Sequence, residues 1–512
     1  MQHILGISRH QMRISSLEDA ISPNNQVRFI DAFVTSVDLS KLGFAVQTLK
    51  KEGRPSYKSE VFLKIYLYGY LNGLRSSRIL EKETFRNIEM QWLLEAIRPN
   101  YHSISDFRKN NPAALKNTFK LFVSFLKDAD LIAGETIAID GTKSRAHNSK
   151  KANYNQKKID KHLEYIEAKT QEYLDALEEN DAKENLPKIK NIQQKIERLQ
   201  QNKIRYELLE EKLKASGEPQ ISTTDSDARA LLVQGQVVEI SFNMQAAVDA
   251  KHNLVVATHT INKNDRSALS AIAIEAKENL GIQTYTALVD KGYHNGKQIE
   301  ICKQANITTI VAQPEQGKSN ENGTAKDYLA AQFQYDKDTD TYTCPQGETL
   351  KTTGSWHKKT TDRDSYNFKK YRTPKCKECP VKHLCTSRSG GREIDRSQYA
   401  DAVEENNKRY HANAQLYRKR QEINEHIFGT IKRQWGYNHT NLTGLEKVNG
   451  EHNLIMLVYN IKRSINILGV PDLIAKLKKW NSPYKAKVWF LLKTEYLKLN
   501  TTYNFYPMKF AA

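Results

Sequence analysis

The spacing of hydrophobic and polar positions changes several times along the chain. Before residue 134 the apolar residues recur in short helix-like stretches, of which residues 61–71 are the clearest, with arginines between them. Such a pattern is typical of a helix-turn-helix DNA-binding bundle, although an ordinary helical domain would show it too. Residues 159–213 carry apolar positions every three or four residues, with a break near Pro187. This spacing predicts two helices folded back as an antiparallel hairpin.

Strand-like patterns lie on both sides of that hairpin. Residues 237–242 and 254–257 alternate like two paired strands, and residues 249–253 supply the turn between them. Further strands are predicted at 135–142, 285–290 and 307–311, and further helices at 267–280, 399–428 and 445–468. The mixture predicts an α/β core that carries two insertions.

The charge of the chain is strongly positive and unevenly distributed. Its 512 residues include 78 Lys and Arg against 59 Asp and Glu, a net charge of +19. Residues 1–150 carry +7, residues 151–350 carry −5 and residues 351–512 carry +17. A polyanionic partner such as nucleic acid accounts for basic ends better than a general solubility charge does, although a solvated surface remains the alternative.

Several classes of protein are excluded by composition. No apolar run reaches the roughly 18–20 residues that would span a bilayer, so no membrane association is expected. The first residues lack a secretory signal, and five cysteines in this length do not make a disulfide framework. We therefore expect a cytoplasmic protein of about three or four domains.

Three acidic residues are placed where they could hold metal ions. Asp140 and Asp290 each end an apolar strand, and Glu425 lies inside a predicted helix. Three carboxylates suit Mg²⁺ or Mn²⁺, and two such ions catalyse phosphodiester chemistry by activating a hydroxyl and stabilising the leaving oxygen. Lys432 shares the face of Glu425 and could hold a phosphate. Strand-end aspartates are also common turn formers, and Glu422 competes with Glu425 as the third ligand.

At these residues the sequence resembles a bacterial insertion-sequence transposase of the DDE class, in the branch with an N-terminal helical domain and a cysteine-bearing insertion. In chain order the similar stretches span roughly residues 15–470. They are Ser103-Ile104-Ser105-Asp106-Phe107-Arg108, Ile139-Asp140-Gly141-Thr142-Lys143, Thr224-Asp225-Ser226-Asp227-Ala228-Arg229, Val289-Asp290-Lys291-Gly292-Tyr293, Glu425-His426-Ile427-Phe428-Gly429-Thr430-Ile431-Lys432-Arg433 and Tyr459-Asn460-Ile461-Lys462-Arg463.

The resemblance implies an RNase H-like mixed-sheet catalytic core in which Asp140, Asp290 and Glu425 bind Mg²⁺ or Mn²⁺. It further implies cleavage of double-stranded DNA at the terminal inverted repeats and joining of the 3′-hydroxyl to target DNA, by a homo-oligomer associated with the bacterial nucleoid. Related transposases carry Tyr, Arg, Glu and Lys on the last catalytic helix. Here Glu425 and Lys432 fit that pattern, whereas Arg418 and Gln421 stand at the Tyr and Arg positions.

Two other functions stay open at this stage. One is a metal-dependent nuclease without strand transfer, and the other is a transposase-derived DNA-binding protein without cleavage. We expect a helical DNA-binding domain at 1–134 and a core in three pieces at 135–150, 220–315 and 400–470. An inserted hairpin is expected at 151–219, a basic cysteine-containing insertion at 316–399 and a basic tail at 471–512.

Four of the five cysteines lie in the basic insertion, which carries +8 over residues 351–400. Cys376, Cys379 and Cys385 form a cluster that begins with CxxC, and Cys344 stands alone before it. Four thiolates can hold a structural Zn²⁺, and His357 or His383 could replace one of them. Reduced, metal-free cysteines are the alternative. Cys302 is expected to be a buried, inert thiol.

Some further residues have both a functional and a structural interpretation. Tyr293 and His294 could contact DNA beside Asp290, with a loop role favoured for His294. Asp227 and Arg229 belong to a family-like stretch, but a helix cap or a local ion pair explains them equally well. Residues 264–265 are expected to form a turn. Trp435 and Tyr437 could stack on a base, although packing against the core is favoured.

Overall fold

The computed structural model describes residues 14–45, 56–181, 186–234, 237–314, 324–360 and 365–482, together with residues 8 and 10–12. Most of the expected basic tail, residue 315 of the expected core, and residues 316–323 and 361–364 of the expected insertion lie outside these ranges. The chain divides into two compact units. The helical unit takes 1–132, 144–230 and 430–512, and the sheet unit takes 133–143 and 231–429.

Helices and strands are numbered along the chain. The helices are α1 (Gln26–Ser36), α2 (Ser59–Leu71), α3 (Ser77–Arg86), α4 (Ile88–Leu93), α5 (Tyr101–Asn110), α6 (Pro112–Asp128), α7 (Gln156–Asp181), α8 (Leu186–Ser216), α9 (Leu269–Leu280), α10 (Gly296–Gln304), α11 (Lys382–Cys385), α12 (Ala400–Ala412), α13 (Ala414–Phe428), α14 (Leu445–Leu468) and α15 (Val470–Lys479). The strands are β1 (Thr136–Arg145), β2 (Asn153–Tyr154), β3 (Ile221–Ser222), β4 (Arg229–Gln234), β5 (Val237–Asp249), β6 (Leu254–Ile261), β7 (Tyr285–Val289), β8 (Ile307–Val311), β9 (Gln334–Asp336), β10 (Thr341–Thr343), β11 (Thr349–Thr352), β12 (His357–Thr360), β13 (Ser365–Arg372) and β14 (Glu393–Ser397).

The helical unit is built around α14, which is buried on nearly all sides and packs against α6 and α2. A helix that is buried all round is usually apolar, but α14 also buries the polar side chains of Glu451, His452, Asn453, Asn460 and Ser464. The Glu451 carboxylate is fully buried and pairs with Arg75 at 2.8 Å and Arg108 at 3.6 Å. Burial alone would raise the pKa of Glu451, but the two guanidiniums lower it to about 2. The pair therefore satisfies a charge inside the core.

The predicted hairpin is confirmed by α7 and α8, which pack along each other within the helical unit. At its base Tyr154, Ile159, Leu209 and Leu213 form a small apolar cluster. The prediction of helices before residue 134 is also confirmed, by α1 to α6. Residues 430–470, which the sequence placed in the catalytic core, instead group with the helical unit because α14 buries its apolar faces against α2 and α6.

The sheet unit contains a mixed sheet with the strand order β4-β5-β1-β7-β8, and β6 also pairs with β5. Strands β5 and β6 run antiparallel, whereas β1, β7 and β8 run parallel. Helices α9, α10, α12 and α13 pack around it. At the β8 edge, the buried Asn406 side chain of α12 bonds both the amide and the carbonyl of Val311. The mixed α/β core expected from the sequence is confirmed.

The cysteine-bearing insertion has a sheet of its own, although the sequence indicated a less regular segment. Among the described residues, β9 to β14 form a six-stranded antiparallel sheet with the path β12-β13-β11-β10-β9, and β14 pairs with β13. Its strands are short and carry polar Thr, Lys and Tyr residues, so their alternation is weak. Their small core contains Phe333, Tyr342, Leu350, Tyr371 and Ile394. In the described part of the chain, none of the helices has the length and apolar character needed to cross a membrane.

Candidate active site

Asp290 directly follows β7, whereas Asp140 lies within β1 and does not end it, contrary to the prediction from the sequence. The two aspartates are neighbours because each follows the last parallel pair of β1 and β7. The register pairs Ile139 on β1 with Val289 on β7, so the residue after each pair is an aspartate. Asp290 caps a short 3₁₀ turn, Lys291–Tyr293, and accepts a hydrogen bond from the Gly292 amide. The Asp140 carboxylate accepts one from the Gly141 amide at 2.8 Å. The parallel pairing of β1 with β7 thus brings the two acidic residues together.

Arg420, on α13, is bound to both aspartates. Its Nη1 lies 3.3 Å from Asp140 Oδ2, and its Nη2 lies 3.3 Å from Asp290 Oδ1. The pKa of Asp140 is raised to about 6, chiefly by burial. The charges of Asp290 and Asp265 also raise this pKa, whereas the Gly141 amide and Arg420 lower it. One positive charge therefore offsets part of the repulsion in a site that concentrates negative charge.

Helix α13 turns two different faces to its surroundings. Arg420 and Asn424 are one turn apart and share the inner face, where the buried amide of Asn424 has no hydrogen-bond partner among the described residues. Glu425 lies on the exposed side and accepts a hydrogen bond from Gln421 at 2.8 Å. Glu422 is exposed as well. The structure thus brings Asp140 and Asp290 together and places Glu425 on the helix that reaches them.

Asp265 is a site residue that the sequence reasoning missed. It begins a 3₁₀ turn after β6, Asp265–Ser267, where only a turn was expected. Its carboxylate accepts hydrogen bonds from Asn243 at 2.7 Å and Gln245 at 2.9 Å, and it pairs with Lys143 at 3.3 Å. The available signal was an aspartate shortly after a strand; β5 and β6 were predicted as a pair, but not the register that places Asn243 opposite Ile261, near Asp265.

The carboxylate oxygens of Asp140 and Asp290 are donors that suit a hard divalent ion. The Arg420 guanidinium between them shows that the two aspartates already hold a positive charge at this place. Within the described residues, however, no three His, Cys, Asp or Glu side chains are grouped so that they could hold a metal ion as they stand. This applies to the carboxylates and to the cysteines alike.

The four cysteines of the insertion are reduced and lie near one another. Cys344 and Cys385 pack against the core of the insertion sheet. Burial raises the pKa of the Cys385 thiol, and the charges of Cys376, Cys379 and Cys344 raise it further. The Glu348 amide donates a hydrogen bond to Cys344 Sγ at 3.3 Å, within the turn between β10 and β11. Cys302 is buried in α10, as expected.

Several other candidates have structural contacts. Asp227 Oδ2 accepts a hydrogen bond from the Leu445 amide at 2.7 Å, which caps α14, and Arg229 lies 3.8 Å from Glu218. Tyr437 is buried beneath Arg75, whose guanidinium lies 4.7 Å from the ring centroid. These contacts favour the capping, ion-pair and packing interpretations.

His294, Trp435 and Lys432 were also singled out from the sequence, and the structure describes the surroundings of each. The ring of His294 is half-buried, with Nε2 3.5 Å from the Asn407 side chain. Trp435 lies 5.6 Å from Tyr437 between ring centroids, so it packs within the helical unit as favoured. Lys432 lies in the π-helical turn Gly429–Gln434 that follows α13.

Two family profiles match the chain, at separate places. Residues 343–465 match the transposase DDE domain, a range that contains Arg420, Glu425 and Lys432. Residues 15–110 match the transposase domain DUF772, which covers α1 to α5. Asp140 and Asp290 lie outside both matched ranges. Neither the curated proteins nor the solved structures include a significant match.

Proposed function

We infer from both domain matches that the chain is an insertion-sequence transposase of the DDE class. We propose that it cuts and joins DNA with divalent metal ions held by Asp140, Asp290 and Glu425. One observation carries the proposal: the two aspartates each follow the last parallel pair of β1 and β7, and they share the Arg420 guanidinium of α13, the helix that bears Glu425. The phosphodiester at the element end is hydrolysed first. The 3′-hydroxyl then attacks target DNA.

The strand arrangement supports an RNase H-like core as the finer description of this fold. The antiparallel pair β5 and β6 lies on one side of β1, and the parallel strands β7 and β8 lie on the other. In such a core, the first strand is central and carries the first aspartate, and its parallel neighbour carries the second. Asp140 on β1 and Asp290 after β7 hold these positions.

The metal ions would be Mg²⁺ or Mn²⁺, since the proposed ligands are all carboxylates. When bound, they supply an activated hydroxyl and charge stabilisation for the leaving oxygen. Asp140 and Asp290 would hold them directly, which requires the Arg420 guanidinium to leave the position it occupies between the carboxylates. Glu425 reaches them only after its side chain leaves Gln421 or α13 changes its rotation.

DNA is gripped through its phosphates, with Lys432 as the contact nearest in sequence to Glu425. The basic residues before 151 and after 350 supply most of the positive charge. The α7–α8 hairpin is proposed as a contact between copies of the chain, because two element ends have to be held together. Its exposed apolar side chains include Tyr165, Leu174, Ile204 and Leu208.

The four cysteines are proposed to bind a structural Zn²⁺. Support comes from the nearness of Cys385 to the other three cysteines, whose charges raise the pKa of its thiol, and from the amide hydrogen bond to Cys344 Sγ. Near-stoichiometric zinc in the purified protein is expected, together with its loss in Cys379→Ser. Less than half an equivalent of zinc in the wild type would contradict the proposal.

The activity is tested on a DNA substrate that carries the terminal inverted repeat, with Mg²⁺. The wild type should cut at the element end and join that end to target DNA, whereas Asp140→Asn and Asp290→Asn should be inactive while still binding DNA. Full cleavage by either variant would refute the two-aspartate site. Cleavage without joining would indicate a nuclease, and binding without cleavage by the wild type would indicate a DNA-binding protein.

The third ligand is tested by a matched pair on α13. Glu425→Gln should abolish cleavage because it removes the proposed third ligand, whereas Glu422→Gln should retain cleavage. The two variants are matched because both residues are exposed glutamates on the same helix. An inactive Glu422→Gln beside an active Glu425→Gln would transfer the role to Glu422.

A further inference from the structure

Asp265 connects strands β5 and β6 with β1, the strand that bears Asp140. It follows β6, bonds Asn243 and Gln245 on β5, and pairs with Lys143 on β1. All three partners are buried. Its carboxylate also borders the Asp290 turn, since a Cβ built on Gly292 would lie 4.0 Å from Asp265 Oδ2. A single carboxylate is thus in contact with the surroundings of both catalytic aspartates.

The hydrogen bonds continue from Asp265 to Tyr293, in the turn that follows the second aspartate. The Tyr293 hydroxyl donates to Gln245 Oε1, and the Gln245 amide nitrogen donates to Asp265. Burial raises the pKa of Tyr293 well above its usual value, so its hydroxyl remains protonated and able to donate. Tyr293 lies three residues after Asp290, and Lys143 lies three residues after Asp140. Asp265 is therefore the common acceptor of two connections, one to the segment that follows each aspartate.

These contacts favour a supporting role over direct metal binding. Asp265 Oδ1 already accepts from two amides, and both oxygens lie 3.3 Å from the Lys143 ammonium. An ammonium at that distance repels a divalent ion and occupies the lone pairs that a ligand would offer. Asp140 Oδ2 and Asp290 Oδ1 are also paired with a cation, Arg420, at 3.3 Å, so what distinguishes Asp265 is the pair of side-chain amides bonded to its Oδ1.

A second observation points to close fitting around the same carboxylate. Asn243 Oδ1 is fully buried, has no hydrogen-bond donor among the described residues, and would lie 2.8 Å from a Cβ on Gly141. The Asn243 amide nitrogen is committed to Asp265 and to the Lys263 carbonyl. The orientation of this amide, with its oxygen towards the Asp140 strand, is thus fixed by Asp265.

We infer that Asp265 is a positioning residue of the metal site, which holds β1 and the Asp290 turn at the separation that the two aspartates need. The inference rests on the proposed metal site but does not require DNA cleavage. Groups that orient metal ligands typically change metal affinity by about 10- to 100-fold when they are removed.

The test uses the full chain and measures Mn²⁺ binding by the loss of the free-ion electron paramagnetic resonance signal. Asp265→Asn should bind Mn²⁺ about 10- to 100-fold more weakly than the wild type. Cleavage by this variant should return as Mn²⁺ is raised. Asp265→Glu, which keeps the charge that pairs with Lys143, should be intermediate and protects the test against a misfolded Asn variant. Glu278→Gln, an exposed exchange on α9, is the matched control and should equal the wild type.

Three results would overturn the inference. Wild-type Mn²⁺ affinity in Asp265→Asn would show that the residue does not position the ligands. Loss of Mn²⁺ binding and cleavage at every metal concentration, as expected for Asp140→Asn, would make Asp265 a ligand. A loss that follows a lower melting temperature and is not relieved by Mn²⁺ would make it merely structural. A wild type that binds Mn²⁺ but cuts no DNA would instead refute the proposed function and leave this comparison valid.

Discussion

Gly141 directly follows Asp140, and there is no room for a side chain at this position. A Cβ there would overlap Gln245 Nε2, and it would lie 2.7 Å from Asp265 Oδ1. Gly141→Ala should therefore lower the free energy of unfolding by about 1–3 kcal/mol, as overpacking does, and lower cleavage further by displacing Asp140. Thermal unfolding and a cleavage assay measure the two effects.

Gly292→Ala is the control for that substitution. Its Cβ would meet nothing closer than 3.7 Å, so the melting temperature of this variant should stay near that of the wild type. Equal stability losses in the two variants would mean that the space around Gly141 is not restricted.

The residue-scale predictions from sequence succeeded where strand patterning was sufficient. Asp140 and Asp290 could be placed because each follows an apolar run, and parallel neighbours bring such positions together, although β1 continues past Asp140 where a strand end was predicted. Arg420 could not, since comparison with the family pattern directed attention to Arg418 and Gln421. Which side of a helix faces a sheet depends on packing, and here packing selects Arg420 and Asn424.

Helix α14 depends on a capping interaction from a distant stretch of the chain. Asp225 Oδ1 and Asp227 Oδ2 accept hydrogen bonds from the Gly444 and Leu445 amides, which begin the helix. Asp227→Ala should lower the free energy of unfolding by about 0.5–2 kcal/mol, the usual cost of losing an N-cap. Cleavage per folded molecule should be unchanged.

Glu446→Ala in the first turn of α14 is the matched comparison, because Glu446 is exposed. It should cost less stability than Asp227→Ala. If Asp227→Ala instead kept the wild-type melting temperature and lost cleavage, Asp227 would have a functional role in place of the cap.

Helix α14 also makes the helical unit sensitive to acid through His452. Burial lowers the pKa of His452 from 6.5 to about 4, so the folded state holds it neutral. An unfolded chain takes up the proton first as pH falls below 6.5, and stability present above that pH is lost towards pH 4. At pH 5 the loss should be about 2 kcal/mol. Glu451 adds to it only below about pH 4.5, where its unfolded form becomes protonated.

The measurement is the melting temperature of the wild type and of His452→Asn at pH 7.5 and pH 5. The wild type should lose more stability between these values than the variant does. Identical pH dependences would show that His452 is not the responsible group.

At the scale of elements, the sequence located helices and strands well but not their partners. The α7–α8 hairpin and strands β7 and β8 lie close to their predicted ranges, whereas β5 and β6 begin where predicted but continue to Asp249 and Ile261. The periodicity of α14 revealed a buried helix without revealing that it belongs with α2 and α6. The strands of the insertion were too short and polar to be recognised.

For the whole molecule, the uneven charge predicts separate dependences of DNA binding and DNA cleavage. The +19 net charge should make DNA affinity fall steeply with salt, because phosphate contacts release counterions. Asp140→Asn and Asp290→Asn should keep nearly the same salt slope while losing cleavage. Affinities measured from 50 to 300 mM KCl would test this, and a flat salt dependence in the wild type would refute the electrostatic grip.

The pairing of β1 with β7 imposes an order of events on the newly made chain. Ala138 pairs with Leu288, 150 residues later, and Arg420 follows after another 132 residues. The strand that carries Asp140 therefore leaves the ribosome long before its partner β7 exists, while the N-terminal helices can already pack among themselves. Closing so long a loop is slow. The proposed metal site is consequently assembled late, and a product terminated before β7 would have the N-terminal helices but only one of the two aspartates.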